Sequence, residues 1–302
     1  MENNIEYINK KRIELLNSEE YNAGKKIVQI KKMIKNFNFI QLIKRINRSL
    51  KIQKLSISNN EDYESIIMNN IDIKKKKIVV YSCITVNYDN VLEPLHISDN
   101  VDYILYTDDM EKSSKIWKKE NINNIYDIKD MTLSEKNRYI KLNPFKLFKE
   151  KYDYAIYIDG NIQVVSDIRI LINCINDNYG ISMHKHRNRN DIYKEYKVCK
   201  LLNKGNKKNL DKQISIYKEK KFPKEYGMLE CNVIAVDLSN IKAEKIVENW
   251  YNEFNNKKSG RDQISLPYVL WKNNINIKSI ATMGSDVYKN PIFYINIHKS
   301  GD

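Results

Sequence analysis

An apolar run, Tyr154 to Ile158, ends abruptly in Asp159-Gly160-Asn161. Such runs bounded by turn residues read as buried strands. The polar pair therefore falls at a strand's carboxyl end, the edge of an open α/β sheet where loops converge and ligands bind. Asp159 and Asn161, two residues apart in extended chain, point the same way, and Gly160 allows the backbone to turn between them. Two oxygen-bearing side chains so placed suit a hard divalent cation holding a diphosphate. The same residues also make an ordinary strand-to-turn Asp-Gly. Both readings stand on this segment alone.

The rest of the chain says what kind of sheet this strand enters. Lys74-Lys75-Lys76-Lys77 closes a polar stretch and marks a boundary near residue 75, with a helical extension over 1–75 and the main domain over 76–302. Beyond it, apolar runs at 78–84, 103–106, 154–158, 180–183 and 233–236 alternate with amphipathic segments near 112–119, 134–150, 191–203, 240–255 and 261–272. Alternation of this kind predicts α/β architecture, a mainly parallel sheet flanked by helices. No G-x-G-x-x-G or Walker loop occurs, which removes support from nicotinamide and P-loop chemistry.

Charge is uneven. The chain carries a net +14, yet residues 1–76 hold 16 Lys/Arg against 9 Asp/Glu, and no acid lies between Glu20 and Glu61. Within that stretch Met33, Phe37, Ile40, Ile43, Ile46 and Leu50 recur at helical spacing among Lys31, Lys32, Lys35, Lys44, Arg45 and Arg48. This predicts a basic amphipathic helix, or two, over residues 25–54. It packs on its own domain, pairs with a twin subunit, or docks on an anionic membrane face. Elsewhere the basic residues are spread rather than interleaved with aromatics on one face, so nucleic acid is not an expected partner. No apolar run is long enough to span a membrane and the amino terminus lacks secretory-signal features, so the expected location is cytoplasmic. Cys83, Cys174, Cys199 and Cys231 show no paired spacing and read as reduced core residues.

Polar groups gather after the predicted strands. Tyr88 follows the first and Asp108 the second, where an aromatic and a carboxylate can stack a base and hold a ribose. Thr132 with Glu135 forms a capping box, which starts a helix and puts Arg138 and Lys141 on one face. Two cations there would neutralise a diphosphate, arginine through its fork and lysine as a point charge. His184 and His186, with Arg187, follow the next strand as acceptor or phosphate contacts, and zinc is disfavoured for want of further ligands. Glu230 precedes a strand, and Asp262 and Gln263 open a helix, where a sugar could be gripped.

In order along the chain, Asn87-Tyr88-Asp89, Tyr106-Thr107-Asp108-Asp109, Arg138-x-x-Lys141-x-x-Pro144, Tyr157-Ile158-Asp159-Gly160-Asn161, a His-x-x-Arg followed by Ile192-Tyr193-Lys194-Glu195, and Arg261-Asp262-Gln263 together resemble a glycosyltransferase family of the GT-A (Rossmann-like) fold. That family occurs in plant mucilage and pectin synthesis and in bacterial surface-polysaccharide loci. The His-x-x-Arg pair fits as His184 with Arg187 or as His186 with Arg189. Where the family tends to have glycine before the first motif, this chain has Val86.

The resemblance implies sugar transfer from a nucleotide donor, a UDP-sugar foremost, to a glycan or glycolipid at the inner face of a membrane. It implies a manganese or magnesium ion on Asp159 and Asn161. His298-x-x-Gly301 looks like the closing motif of glycogenin-like retaining transferases, which makes His298 a third ligand and retention the expected stereochemistry. Asp262 and Glu230 are the carboxylates nominated for the acceptor side, beside Gln263. A non-catalytic scaffold of the same fold and a basic nucleic-acid binder are the competing classes.

Overall fold

The computed structural model describes residues 39–57, 67–86 and 88–296, with scattered residues between 11 and 31. Its centre is a six-stranded sheet in the order β3-β2-β1-β4-β7-β6. The strands are β1 (Ile78–Ile84), β2 (Val101–Thr107), β3 (Lys118–Asn121), β4 (Tyr154–Ile158), β6 (Ile181–Lys185) and β7 (Leu229–Asp237). β1 pairs in parallel with β2 and β4, and β2 in parallel with β3. β7 runs antiparallel to both β4 and β6. A small second sheet pairs β5 (Ile162–Val164) with β8 (Phe293–Ile295).

Alternation along β1 explains the layering, because successive side chains face opposite sides of a sheet. Val79, Tyr81 and Cys83 join one core with Tyr139, Phe148 and Trp250. Ile78, Val80 and Ile84 join the other with Ile168, Leu171 and Phe293. The first core is roofed by α2 (Leu133–Leu142), α3 (Pro144–Phe148), α6 (Ile241–Lys257) and α7 (Asp262–Lys272), the second by the 3-10 segment Ile168–Cys174. α4 (Ile192–Leu201) and α5 (Lys207–Glu219) build a third cluster around Tyr217, Phe222 and Tyr268.

Four expectations change. The helix expected at 112–119 is loop followed by β3, a short lysine-bearing edge strand anchored by buried Trp117; charged edges of this kind resist pairing with other chains. The helix expected at 134–150 breaks at Asn143, where Pro144 cannot continue the first segment and becomes the first residue of the next. α5 was not anticipated, although Leu210, Gln213, Ile214 and Tyr217 are buried at helical spacing within its polar sequence. The polar stretch ahead of residue 76 is, over 68–71, stitched to the domain. Met68 N donates to Asn173 O, Ile71 N to Asn173 Oδ1, and Asn69 Nδ2 to Ile175 O.

The helical extension is represented by α1 (Phe39–Gln53). The part of the expected 25–54 helix that precedes it lies largely outside the described residues.

Candidate active site

The carboxyl ends of β1 and β4 lie side by side, and Gly160 is what lets them. A Cβ there would stand 2.6 Å from Ile84 Cγ1, so close approach rather than an unusual backbone angle demands the glycine. A cavity of about 580 Å³ opens at this point, lined by Thr85, Val86, Tyr88, Asn137, Arg138 and Asp159 among others. A second, of about 330 Å³, adjoins it and shares Arg138, Asp159, Leu202, Lys204 and Arg261. The two form one cleft across the strand ends.

Where β1 leaves the sheet, Val86 adopts φ 56°, the left-handed region that suits glycine and strains a β-branched residue. Its N–H donates to both carboxylate oxygens of Asp108, at 3.0 and 3.2 Å, which holds the strained turn. Asp108 thus shapes the loop, while Tyr88, 42% exposed, lines the larger cavity. Asn87 is outside the described residues.

The capping box forms as expected: Glu135 N donates to Thr132 Oγ1 and Thr132 N to Glu135 Oε2. It starts α2 so that Arg138 and Lys141 face the strand ends. Lys141 Nζ is almost completely buried, 2.9 Å from Asp262 Oδ2 and 3.6 Å from Asp159 Oδ1. Arg138 Nε lies 3.4 Å from Asp262 Oδ1. Burial alone would discharge the lysine, but Asp159 and Asp262 outweigh it and hold the ammonium above its ordinary pKa. Burial likewise works against the Asp262 carboxylate, yet Lys141, Arg138 and Arg261 overcome it and keep Asp262 well below the usual carboxylate range. Asp262 is thus a fixed negative charge at neutral pH.

The opposite wall contrasts. Glu230, at the start of β7, is pushed above its ordinary pKa by burial, with Arg187 opposing that shift. Its Oε1 lies 3.6 Å from His186 Nδ1, and its Oε2 accepts from Gln263 Nε2 at 3.3 Å. Gln263 also donates to Leu229 O and accepts from Arg261, so both ends of its amide are engaged. Glu195, buried on α4, binds Arg189 Nε and lies 3.5 Å from Arg261.

The histidines separate cleanly. His184 has no exposed surface, pairs with Asn290 Nδ2 at 2.9 Å and lines neither cavity. It is a core residue and not at the cleft as expected, its ring packed edge-on against Phe293. His186 lines the smaller cavity, and its Nε2 stands 3.1 Å from Arg189, so the structure brings that alternative pair together in the cleft. Burial drives both imidazoles down to about 3, with Arg189 adding to the effect at His186, so both are neutral. Arg187 still reaches the cleft and stacks on Tyr288 at 3.8 Å. Arg189, Glu195 and Arg261 appear in the sequence only as motif members, without a role in the site, and the structure brings all three to the smaller cavity. Their signal was the scarcity of arginine, eight against 44 lysines, three of which meet here beside Arg138.

Around the smaller cavity stand six cations, Arg138, Lys141, Arg187, Arg189, Lys204 and Arg261, against four carboxylates, Asp159, Glu195, Glu230 and Asp262. That surplus suits an anion of about two charges. Asn232 Oδ1 and Arg261 Nε, both on this lining, are buried without a hydrogen-bond partner. A ligand rich in hydroxyls would satisfy them.

For a metal the donor set is partial. Asp159 offers a carboxylate and Asn161 an amide, whose Nδ2 is held by Asn296 O at 2.9 Å. Among the described residues no three His, Cys, Asp or Glu side chains come together as a cation site, and His298 lies outside them.

The TOD1/MUCI70, glycosyltransferase-like domain, matches residues 54–298. The chain belongs to that family. Its enzyme class is accordingly glycosyltransferase, and the TOD1/MUCI70 match spans the whole cleft together with the stitched segment before β1. The expected glycosyltransferase resemblance and α/β fold are borne out. Among solved structures, mouse xyloside xylosyltransferase 1 covers 65% of this chain and 82% of its own, at 9% identity and a TM-score of 0.41. The mannosyltransferase Ktr4p of S. cerevisiae covers 82% and 76%, at 9% identity and a TM-score of 0.36, and a second structure of it contains GDP. At these values the likenesses add no argument. A stretch of 52 residues is 33% identical to the Ras-related protein RABG3b of Arabidopsis thaliana, covering 17% of this chain. The chain spans about a quarter of the length of that curated relative, and nothing of its activity transfers.

Proposed function

We propose that this TOD1/MUCI70-family chain transfers a sugar from a nucleoside-diphosphate donor to a glycan or glycolipid acceptor within a GT-A arrangement. One observation carries the reading: Lys141, buried, and Arg138, partly open to the cleft, stand at the ends of β1 and β4, paired with Asp159 and Asp262, where two cavities meet.

The larger cavity takes the nucleoside, with Tyr88 as the stacking face. The smaller takes the sugar, and the diphosphate lies at their junction beside Arg138. Transfer breaks the bond between the sugar's anomeric carbon and the diphosphate oxygen while an acceptor hydroxyl forms the new bond and loses its proton. Negative charge grows on the leaving diphosphate, and Arg138 with Lys141, preset by their aspartates, stabilises it there. Asp262 is too acidic to take the acceptor proton. Glu230, with its raised pKa beside a neutral histidine, is the better base, so the two nominated carboxylates have different tasks. Asp159 and Asn161, joined by His298, would hold a manganese or magnesium ion, which when bound supplies Lewis-acid stabilisation of the diphosphate. The donor read first is UDP-linked, and the glycogenin-like ending favours retention, with the acceptor hydroxyl attacking from the face that the diphosphate leaves while Glu230 draws off its proton.

A panel of nucleotide sugars scored for nucleoside-diphosphate release tests the proposal. Release from one donor, abolished in Asp159→Ala, is the expected result. Wild-type protein that cleaves and binds none of the panel would overturn it.

A further inference from the structure

Outside the cleft, α1 carries a row of exposed apolar side chains among the described residues. Over residues 43–53 it leaves Ile43, Ile46 and Leu50 exposed by 57%, 47% and 51%. At positions i, i+3 and i+7 these fall within an arc of about 60° on the helix. Lys44, Arg48 and Lys51, at i, i+4 and i+7, share a second face, with Arg45 beyond them. The helix contains no acidic residue.

Of the three expected occupants, the described part of the chain's own domain leaves this stripe exposed, and charge decides between the other two. Two copies of α1 pairing along the stripe would bring together at least six cations with no carboxylate from either helix, since each carries Lys44, Arg48 and Lys51. Like charges at that range repel. A bilayer surface rich in anionic phospholipid answers both faces: apolar side chains enter the acyl boundary while the cations remain among the headgroups.

The position of the helix connects it to the cleft. Lys54 and Leu55 end it, and two residues later Ile57 N donates to Asn188 O at 2.8 Å. Asn188 lines the smaller cavity. α1 also touches α4, the helix that supplies Glu195 to the same cavity.

We infer that α1 is a peripheral docking helix that lies on an anionic phospholipid surface and holds the acceptor side of the cleft against it. The acceptor class this selects is a lipid-linked glycan, a consequence that rests on the glycosyltransferase reading; the docking itself does not.

Flotation of the full chain with phosphatidylcholine vesicles, and with vesicles part-substituted by phosphatidylglycerol, tests the docking without donor or acceptor. The chain partitions to the anionic vesicles, not to the neutral ones, and high salt releases it. Lys44→Ala with Arg48→Ala weakens partitioning about thirtyfold, and Ile43→Ser with Leu50→Ser abolishes it. Donor cleavage by both variants in vesicle-free buffer stays at the wild-type rate, which shows that the domain is folded. Absence of binding to anionic vesicles overturns the inference while leaving donor cleavage in place. A solution dimer that Ile43→Ser with Leu50→Ser dissociates also overturns it, by giving the stripe to a second copy. Vesicle binding without cleavage of any donor would instead break the reading of the cleft and leave the docking standing.

Discussion

Two corners of one cleft treat buried carboxylates in opposite ways. At the β4 end, Asp262 is ringed by Lys141, Arg138 and Arg261 and stays ionised far below the usual range. At the β7 end, Glu230 faces a neutral histidine and an amide, and burial lifts its pKa despite Arg187. Burial is common to both, so it is the company of cations that differs. The first corner is a fixed electrostatic frame for a leaving diphosphate, the second a place where a proton can be exchanged.

Removing the cation that locks the first corner has the largest expected effect. Lys141→Met strands Asp159 and Asp262 beside each other and costs about 3–5 kcal/mol of stability in urea titrations. Where the variant is folded, donor cleavage falls by about 10²–10³-fold. A Lys141→Met protein with wild-type turnover would reduce the lysine to a packing role.

Next come the two carboxylates, which the comparison separates by pH. Asp262→Asn lowers kcat by about 10²-fold and leaves the shape of the pH–rate profile intact, because the aspartate does not titrate in the working range. Glu230→Gln lowers kcat by about 10²-fold and removes the acidic limb of the profile. If both variants kept that limb, Glu230 would not be the base.

Stability against pH gives a smaller signal with a defined sign. His184 and His186, held neutral down to about 3 in the folded chain, take up protons near the ordinary value only when unfolded. Stability therefore falls as pH drops below about 6.5, by up to about 1.4 kcal/mol per pH unit for each histidine. Glu230, raised in the folded state, works the other way and gains stability on acidification. In Glu230→Gln the histidine slope is therefore steeper than in wild type. Asp262, lowered, contributes stability above the ordinary carboxylate range and loses it only in stronger acid. Urea midpoints measured at successive pH values read all of this. The smallest effect is at the loop: Val86→Gly relieves the left-handed strain at φ 56° and raises stability by about 1 kcal/mol in the same titration.

The β4 corner was far more legible in the sequence than the β7 corner, for a physical reason. Strand periodicity, the Asp159-Gly160-Asn161 terminus and the Thr132–Glu135 capping box are local patterns, and together they place Arg138 and Lys141 beside Asp159 without knowledge of the fold. The β7 corner joins Arg189 and Glu195, which share a local motif, to Glu230 on β7 and Arg261 ahead of α7, and no local spacing links that motif to the other two. Which histidine enters the cleft depended on the register of β6 against β7, which shifts between Met183 and His184. The polar helix α5 and the edge strand β3 were obscured by lysine, which this chain uses so freely that charge spacing loses its meaning.

Calorimetric titration of UDP and of GDP into the wild-type chain and into Arg138→Ala tests the central claim most directly, that a nucleoside diphosphate lies where β1 and β4 end. Wild type binds one of the two and Arg138→Ala binds it about a hundredfold more weakly. Equal affinity in the two proteins, or no binding of either nucleotide by wild type, would contradict the account.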